Sequence, residues 1–72
     1  MGDMIELDVR GLSCPEPVIM TMDAMEANPG MRIRVIADEA HTRKNLEKML
    51  KYQGKKSTTE EKNGEYIITV EA

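Results

Sequence analysis

The chain's single cysteine, Cys14, is followed by two prolines spaced two apart, in the run Leu12-Ser13-Cys14-Pro15-Glu16-Pro17-Val18. Few short segments restrict a backbone so tightly. Proline fixes φ and lacks an N–H, so it is tolerated in the first turn of a helix, where that N–H would have no intrahelical partner, and is disfavoured in the interior. With Cys14 as the N-cap, Pro15 is the first helical residue and Pro17 the third. Making Ser13 the cap, with Glu16 as its capping-box partner, puts Pro17 fourth, where its N–H should bond the cap carbonyl. The residues therefore predict a helix that starts at Pro15 with Cys14 as its cap.

A thiol in that position gains some thiolate character from the positive end of the helix dipole and from the N–H of Glu16. The effect is modest. A terminal dipole interaction of roughly 0.3–1 kcal/mol moves a pKa by less than about one pH unit, and the Glu16 carboxylate pulls the other way. Starting from about 8.5, the thiol is expected to be partly ionised near neutral pH, with Arg10 as the candidate cation that adds to the effect. Partial ionisation suits thiol exchange, because nucleophilicity falls as the pKa falls.

Around this junction the periodicity changes from two to 3.6. Met4 to Val9 alternates, with Ile5, Leu7 and Val9 on one face and Glu6 and Asp8 on the other, which predicts a half-buried strand. Gly11 then allows a sharp turn. The helix from Pro15 to Ala27 carries Val18, Ile19, Met22 and Met25 at core-facing spacing, with Met20 off that stripe. Asn28-Pro29-Gly30 ends it. Met31 to Ala37 reads as a second strand, with Ile33, Val35 and Ala37 inward.

Asp38 is the expected N-cap of a second helix reaching about Gln53, with Ala40, Leu46, Met49 and Leu50 inward and Gly54 as its stop. Lys55 to Lys62 is polar and only weakly strand-like, suited to a lysine-flanked sheet edge. Asn63-Gly64 is a two-residue hairpin signal, and Glu65 to Val70 returns with Tyr66, Ile68 and Val70 inward. The predicted order is βαβαββ: an α/β chain forming a two-layer sandwich, with a four-stranded mixed sheet and both helices on one face.

At 72 residues, of which 40% are hydrophobic and 32% charged, the chain reads as one domain covering residues 1–72. A chain of this size buries only about 60% of the surface its unfolded form exposes, so its stability margin is thin. Without Phe or Trp, the core falls to Ile, Val, Leu and seven Met. No apolar run approaches the ~20 residues of a membrane span, and no charged-then-apolar leader opens the sequence. One cysteine forms no internal disulfide. These features lead to the expectation of a cytoplasmic protein that makes no membrane contact.

Several chemistries lack the residues they need. The single His41 falls in the first turn of the second helix without a Cys-His partner, and Asp38 is explained as a cap rather than as a general base. The sequence shows no resolving cysteine, phosphate-cradling glycine loop or metal-ligand cluster. The reading requires no cofactor and no metal. The net charge of −3 is unevenly spread, with basic residues concentrated in Arg43, Lys44, Lys48, Lys51, Lys55 and Lys56. That run reads either as a solvated helix face or as a docking surface for an acidic protein or RNA.

The pattern Leu7-Asp8-x-Arg10-Gly11-Leu12-x-Cys14-Pro15-x-Pro17-Val18 closely resembles the opening of the TusA/SirA-like family of small sulfur-carrier proteins, whose signature is Cys-Pro-x-Pro at the start of the first helix. The resemblance extends through the Asn28-Pro29-Gly30 turn, the strand ending in Ala37-Asp38 and the closing hairpin. It departs at Asp38-Glu39-Ala40-His41-Thr42, where Asp-Asp-Pro or Asp-Pro is usual in the family.

The resemblance implies a persulfide sulfurtransferase that acts mainly as a carrier. Cys14 would be the catalytic thiol, with Arg10, Gly11, Pro15, Glu16 and Pro17 as the binding residues around it. It further implies a cysteine desulfurase or another sulfurtransferase as donor and a downstream sulfur-acceptor protein. The carrier is expected to be a monomer that binds no nucleic acid by itself. The alternatives are an RNA- or protein-binding module that uses the basic surface of the second helix, and a redox or selenium-handling thiol protein.

Overall fold

Alternating apolar side chains build the sheet, and two amphipathic helices cover one side of it. In the computed structural model, which describes residues 4–12 and 15–71, the elements are β1 (Met4–Asp8), α1 (Glu16–Ala27), β2 (Arg32–Ala37), α2 (Ala40–Tyr52), β3 (Ser57–Lys62) and β4 (Glu65–Val70). The strands lie in the order β1-β2-β4-β3. β1 pairs parallel to β2, whereas β4 pairs antiparallel to both β2 and β3. The parallel step requires a crossover, which α1 supplies. The two-layer α/β architecture expected from the element order is the one observed.

Burial follows position in the sheet. The two central strands contribute Ile33, Val35, Ala37, Ile68 and Val70 to the core, and α2 adds Leu46 and Leu50. The edge strand β3, reading Ser-Thr-Thr-Glu-Glu-Lys, has no buried residue, which fits a polar edge that discourages pairing with other chains. On the sheet face away from the helices, Arg34 pairs with Glu6 at 3.5 Å and Arg32 with Glu71 at 3.7 Å. Turn chemistry sets the connections. Asn63, at φ 53°, and Gly64, at φ 79°, form a two-residue β3–β4 turn of the type I′ form that matches strand twist. Helix α2 closes in a Schellman motif, with Gly54 N–H donating to the Lys51 carbonyl (3.0 Å) and Lys55 N–H to the Leu50 carbonyl (2.9 Å).

The helices present the expected faces in part: Val18 and Met25 of α1 pack against the core, as do Leu46, Met49 and Leu50 of α2, while other positions differ. In α1 the fully buried residues are Pro17 and Thr21, and beside Val18 and Met25 the core is met by Ala24 and by Met20, which the sequence places off the stripe. Ile19, expected inward, is 51% exposed. Thr21 accounts for the difference. Its hydroxyl donates to the Pro17 carbonyl at 2.8 Å, so a polar residue occupies the core face without an unsatisfied group. In α2 a single position differs: Thr42 is buried where Ala40 is expected, and Ala40 is exposed.

Asp38 is not the cap of α2. Glu39 takes that position with extended backbone at φ −131° and ψ 141°, and its carbonyl accepts the first helical bond, from Arg43 N–H at 3.1 Å. The additional extended residue frees the Asp38 carboxylate to reach a different loop.

Candidate functional site

The segment leading to Cys14 is pinned before the helix begins. The β1–β2 ladder continues one residue past the strand, as Val9 N–H donates to the Ile36 carbonyl at 2.9 Å, and a turn then closes through Leu12 N–H to the Val9 carbonyl at 3.2 Å. Gly11 sits at the third position of that turn with φ +78°, the conformation a type II turn demands. A Cβ added there would meet nothing within 4 Å, so the requirement for glycine is conformational rather than steric.

Three carboxylates hold this turn from outside it, Asp8 and Glu65 through Arg10 and Asp38 through Gly11. Arg10 donates to Asp8 through its backbone N–H (3.1 Å), Nε (2.9 Å) and a terminal nitrogen (2.8 Å). Its other terminal nitrogen reaches Glu65 at 2.7 Å. The hydrogen bonds from Arg10 hold the Asp8 carboxyl at about 2, below its ordinary 3.8, and the two acids raise the Arg10 pKa in turn. Asp38 provides the second anchor, accepting from Gly11 N–H at 3.3 Å. The sequence suggests Arg10 as a cation supporting the thiol. Its guanidinium bonds two carboxylates, and in that arrangement it clasps the β1 end to the β4 start.

Ser13 and Cys14 lie outside the described residues, and with them the thiolate reading; the cap position expected for Cys14 is taken by Pro15. The helix itself starts one residue later than the prolines suggest. α1 begins at Glu16, with Pro15 at the cap position (φ −97°, ψ 11°) and no side-chain cap bond; its carbonyl accepts from Ile19 N–H at 3.0 Å. Pro15 and Pro17 thus occupy the cap and second helical positions rather than the first and third. Either frame asks no proline for an intrahelical N–H, so the spacing alone does not separate them. Glu16 is exposed at the first helical position, and Pro17 is buried.

The basic run of α2 divides into two faces. Arg43 bonds Glu47 at 2.9 Å and lies 5.2 Å from the Tyr66 ring centroid, and Glu47 also accepts from the Thr59 hydroxyl at 2.6 Å. On the other face, Lys48 and Lys51 line a groove of about 550 Å³ with Val18, Asn45, Met49 and Tyr52. Among the described residues no group of three or more His, Cys, Asp or Glu is placed to hold a metal ion, and no described helix is long and apolar enough to cross a membrane. Sequence reasoning missed Asp8, Asp38 and Glu65 as residues that shape the loop. The pairing of Asp8 with Arg10 is legible as opposite charges two apart. Glu65 and Asp38 require the sheet register.

The architecture and the sequence both have counterparts among known proteins. A family model described as sulfurtransferase TusA matches residues 5–72. The sulfur carrier protein TusA of Pseudomonas paraeruginosa is 35% identical over 66 residues, covering 89% of this chain and 84% of that protein, and the Pseudomonas aeruginosa protein matches to the same extent. The crystal structure of a SirA-like protein from Desulfitobacterium hafniense superposes with a TM-score of 0.87 at 36% identity, covering 96% of this chain and 97% of that one. Carrying the Leu-Asp-x-Arg-Gly-Leu-x-Cys-Pro-x-Pro opening on this fold, the chain belongs to the sulfurtransferase TusA family of sulfur carriers.

Proposed function

We propose that Cys14 is the sulfur-carrying residue, accepting a persulfide sulfur from a donor protein and passing it to an acceptor. The observation that carries this reading is local: the chain's one cysteine falls between a turn anchored by Asp8, Asp38 and Glu65 and a helix whose start holds two prolines. Anchoring on both sides would present a single thiol reproducibly to another protein's active site, which limits the ordering cost of docking.

The chemistry needs little else. The Cys14 thiolate attacks the terminal sulfur of a donor persulfide; a new S–S bond forms at Cys14, the donor's S–S bond breaks, and the donor leaves as a thiolate. In the second transfer an acceptor nucleophile attacks the outer sulfur and Cys14 leaves as thiolate, so no external oxidant or reductant enters the carrier steps. The N-terminal amides of α1 favour both anions, the attacking thiolate and the bound persulfide. A pyridoxal-phosphate-dependent cysteine desulfurase or another sulfurtransferase is the class of donor this requires. A reducing cytoplasm is the compartment that suits it.

The test is a round trip. After exposure to a cysteine desulfurase and cysteine, the isolated chain should carry one additional sulfur and lose it to an excess of thiol acceptor, while Cys14→Ser carries none. A chain that stays unmodified with several donors overturns the reading.

A further inference from the structure

The groove between α1 and α2 has the makings of a binding surface. Its floor is Val18 and Met49, both partly buried, and its rim is Lys48, Lys51 and Tyr52. Tyr52 is 90% exposed and is one of two large exposed hydrophobic residues among those described, the other being Ile19. An aromatic residue fully displayed beside an apolar floor is the composition of an interface anchor point rather than of a solvated helix end.

The electrostatics are one-sided. Glu47 is the only acid between Arg43 and Lys56, and it faces away, engaged by Arg43 and Thr59. Among the described residues no carboxylate lines the groove: the acids of α1, Glu16, Asp23 and Glu26, are all absent from its wall. Two lysines around an apolar floor, with no carboxylate in that wall, leave complementarity to be supplied from outside.

We infer that this groove docks an acidic protein segment that presents a large apolar side chain, carried by one of the sulfur-relay partners. The inference rests on the carrier reading for the identity of the partner, and on the groove alone for its chemistry. An acidic peptide meets both halves of the site: its carboxylates face Lys48 and Lys51, and its apolar anchor covers Val18 and Met49 against Tyr52. RNA fits less well, because the chain carries a net charge of −3 and a polyanion feels that whole field, whereas a short acidic segment meets mainly the local patch. The departure from the family pattern at Asp38–Thr42 lies at the other end of α2, away from these residues.

The experiment is an amide NMR titration of the full chain with three probes: an amphipathic peptide with leucine and phenylalanine on one face and glutamate on the other, the same peptide with lysine for glutamate, and a single-stranded RNA oligonucleotide. The acidic peptide should shift Val18, Lys48, Met49, Lys51 and Tyr52, and its affinity should fall roughly tenfold or more in the Lys48→Glu/Lys51→Glu variant. Cys14→Ser should bind it unchanged, and the charge-reversed variant should still load sulfur from a low-molecular-weight persulfide, which separates failure of the groove from failure of the carrier reading. Equal binding of the lysine peptide, shifts confined to another face, or preferential RNA binding lost on the same charge reversal would each overturn the inference. A Tyr52→Ala variant, altering an exposed position, guards against misfolding and should also weaken the acidic peptide.

Discussion

Arg10 and Glu65 are 55 residues apart in sequence and 2.7 Å apart in the fold. That contact ties the turn before Cys14 to the first residue of β4, so the closing hairpin at the end of the chain helps to place a loop near its start. Because Arg10 simultaneously bonds Asp8, a single guanidinium fixes the strand end from two directions, a geometry Lys would not reproduce.

The clasp has a pH signature. Asp8 titrates at about 2 rather than at its ordinary 3.8, mainly through the hydrogen bonds from Arg10. A carboxyl with a depressed folded-state pKa contributes stability that is present above the unfolded value and is lost as pH falls through the folded value. Side-chain NMR should therefore find Asp8 ionised at about pH 3 and its contribution fading between 3.8 and about 2, whereas Arg10→Gln should return the Asp8 midpoint towards 3.8.

Gly11 is required for its backbone. With φ at +78° and open space around its Cβ position, Gly11→Ala should cost about 1–2 kcal/mol, the penalty of a left-handed conformation for an L-residue. Gly11→Asn should cost less, since Asn tolerates that region better. Urea denaturation of the two variants checks the order.

Asp38→Ala separates two roles. As a helix cap, Asp38 would cost about 1 kcal/mol of α2 stability on removal. The structure assigns its carboxylate to Gly11 N–H instead, so the expected result is faster hydrogen exchange at the Gly11 amide, with α2 amides changed little.

Helix burial makes a further pair of outcomes. Leu50 is fully buried on α2, and Leu50→Ala should cost roughly 2–5 kcal/mol, enough to unfold much of a population whose total stability is on the order of 5 kcal/mol. Ile19, 51% exposed, should tolerate alanine within about 0.5 kcal/mol. Thermal denaturation of both variants reads the contrast.

The strands, their inward residues and the hairpin are legible in the sequence because period-two alternation and Asn63-Gly64 are local signals that the sheet does not overrule. The helix faces are legible in part: Leu46, Met49 and Leu50 follow from helical spacing, whereas Thr21 and Thr42 look polar in sequence and only their packing makes them core residues. The start of α1 differs by one residue because Pro15 and Pro17 satisfy two frames equally. The thiol stands out through the prolines that follow it, while Glu65 and Asp38 emerge only once β2 is in register with β1 on one side and β4 on the other. The basic run of α2 reads as one cluster in sequence and becomes two faces when Glu47 and Tyr66 claim Arg43.

Sulfur transfer through Cys14 is the claim on which the functional account stands, and intact-mass spectrometry followed by peptide mapping tests it most directly. After incubation with a cysteine desulfurase and cysteine, the chain should gain the mass of one sulfur on the peptide that contains Cys14, and Cys14→Ser should gain none. An unchanged mass with competent donors, or a sulfur gain that survives in the serine variant, would contradict it.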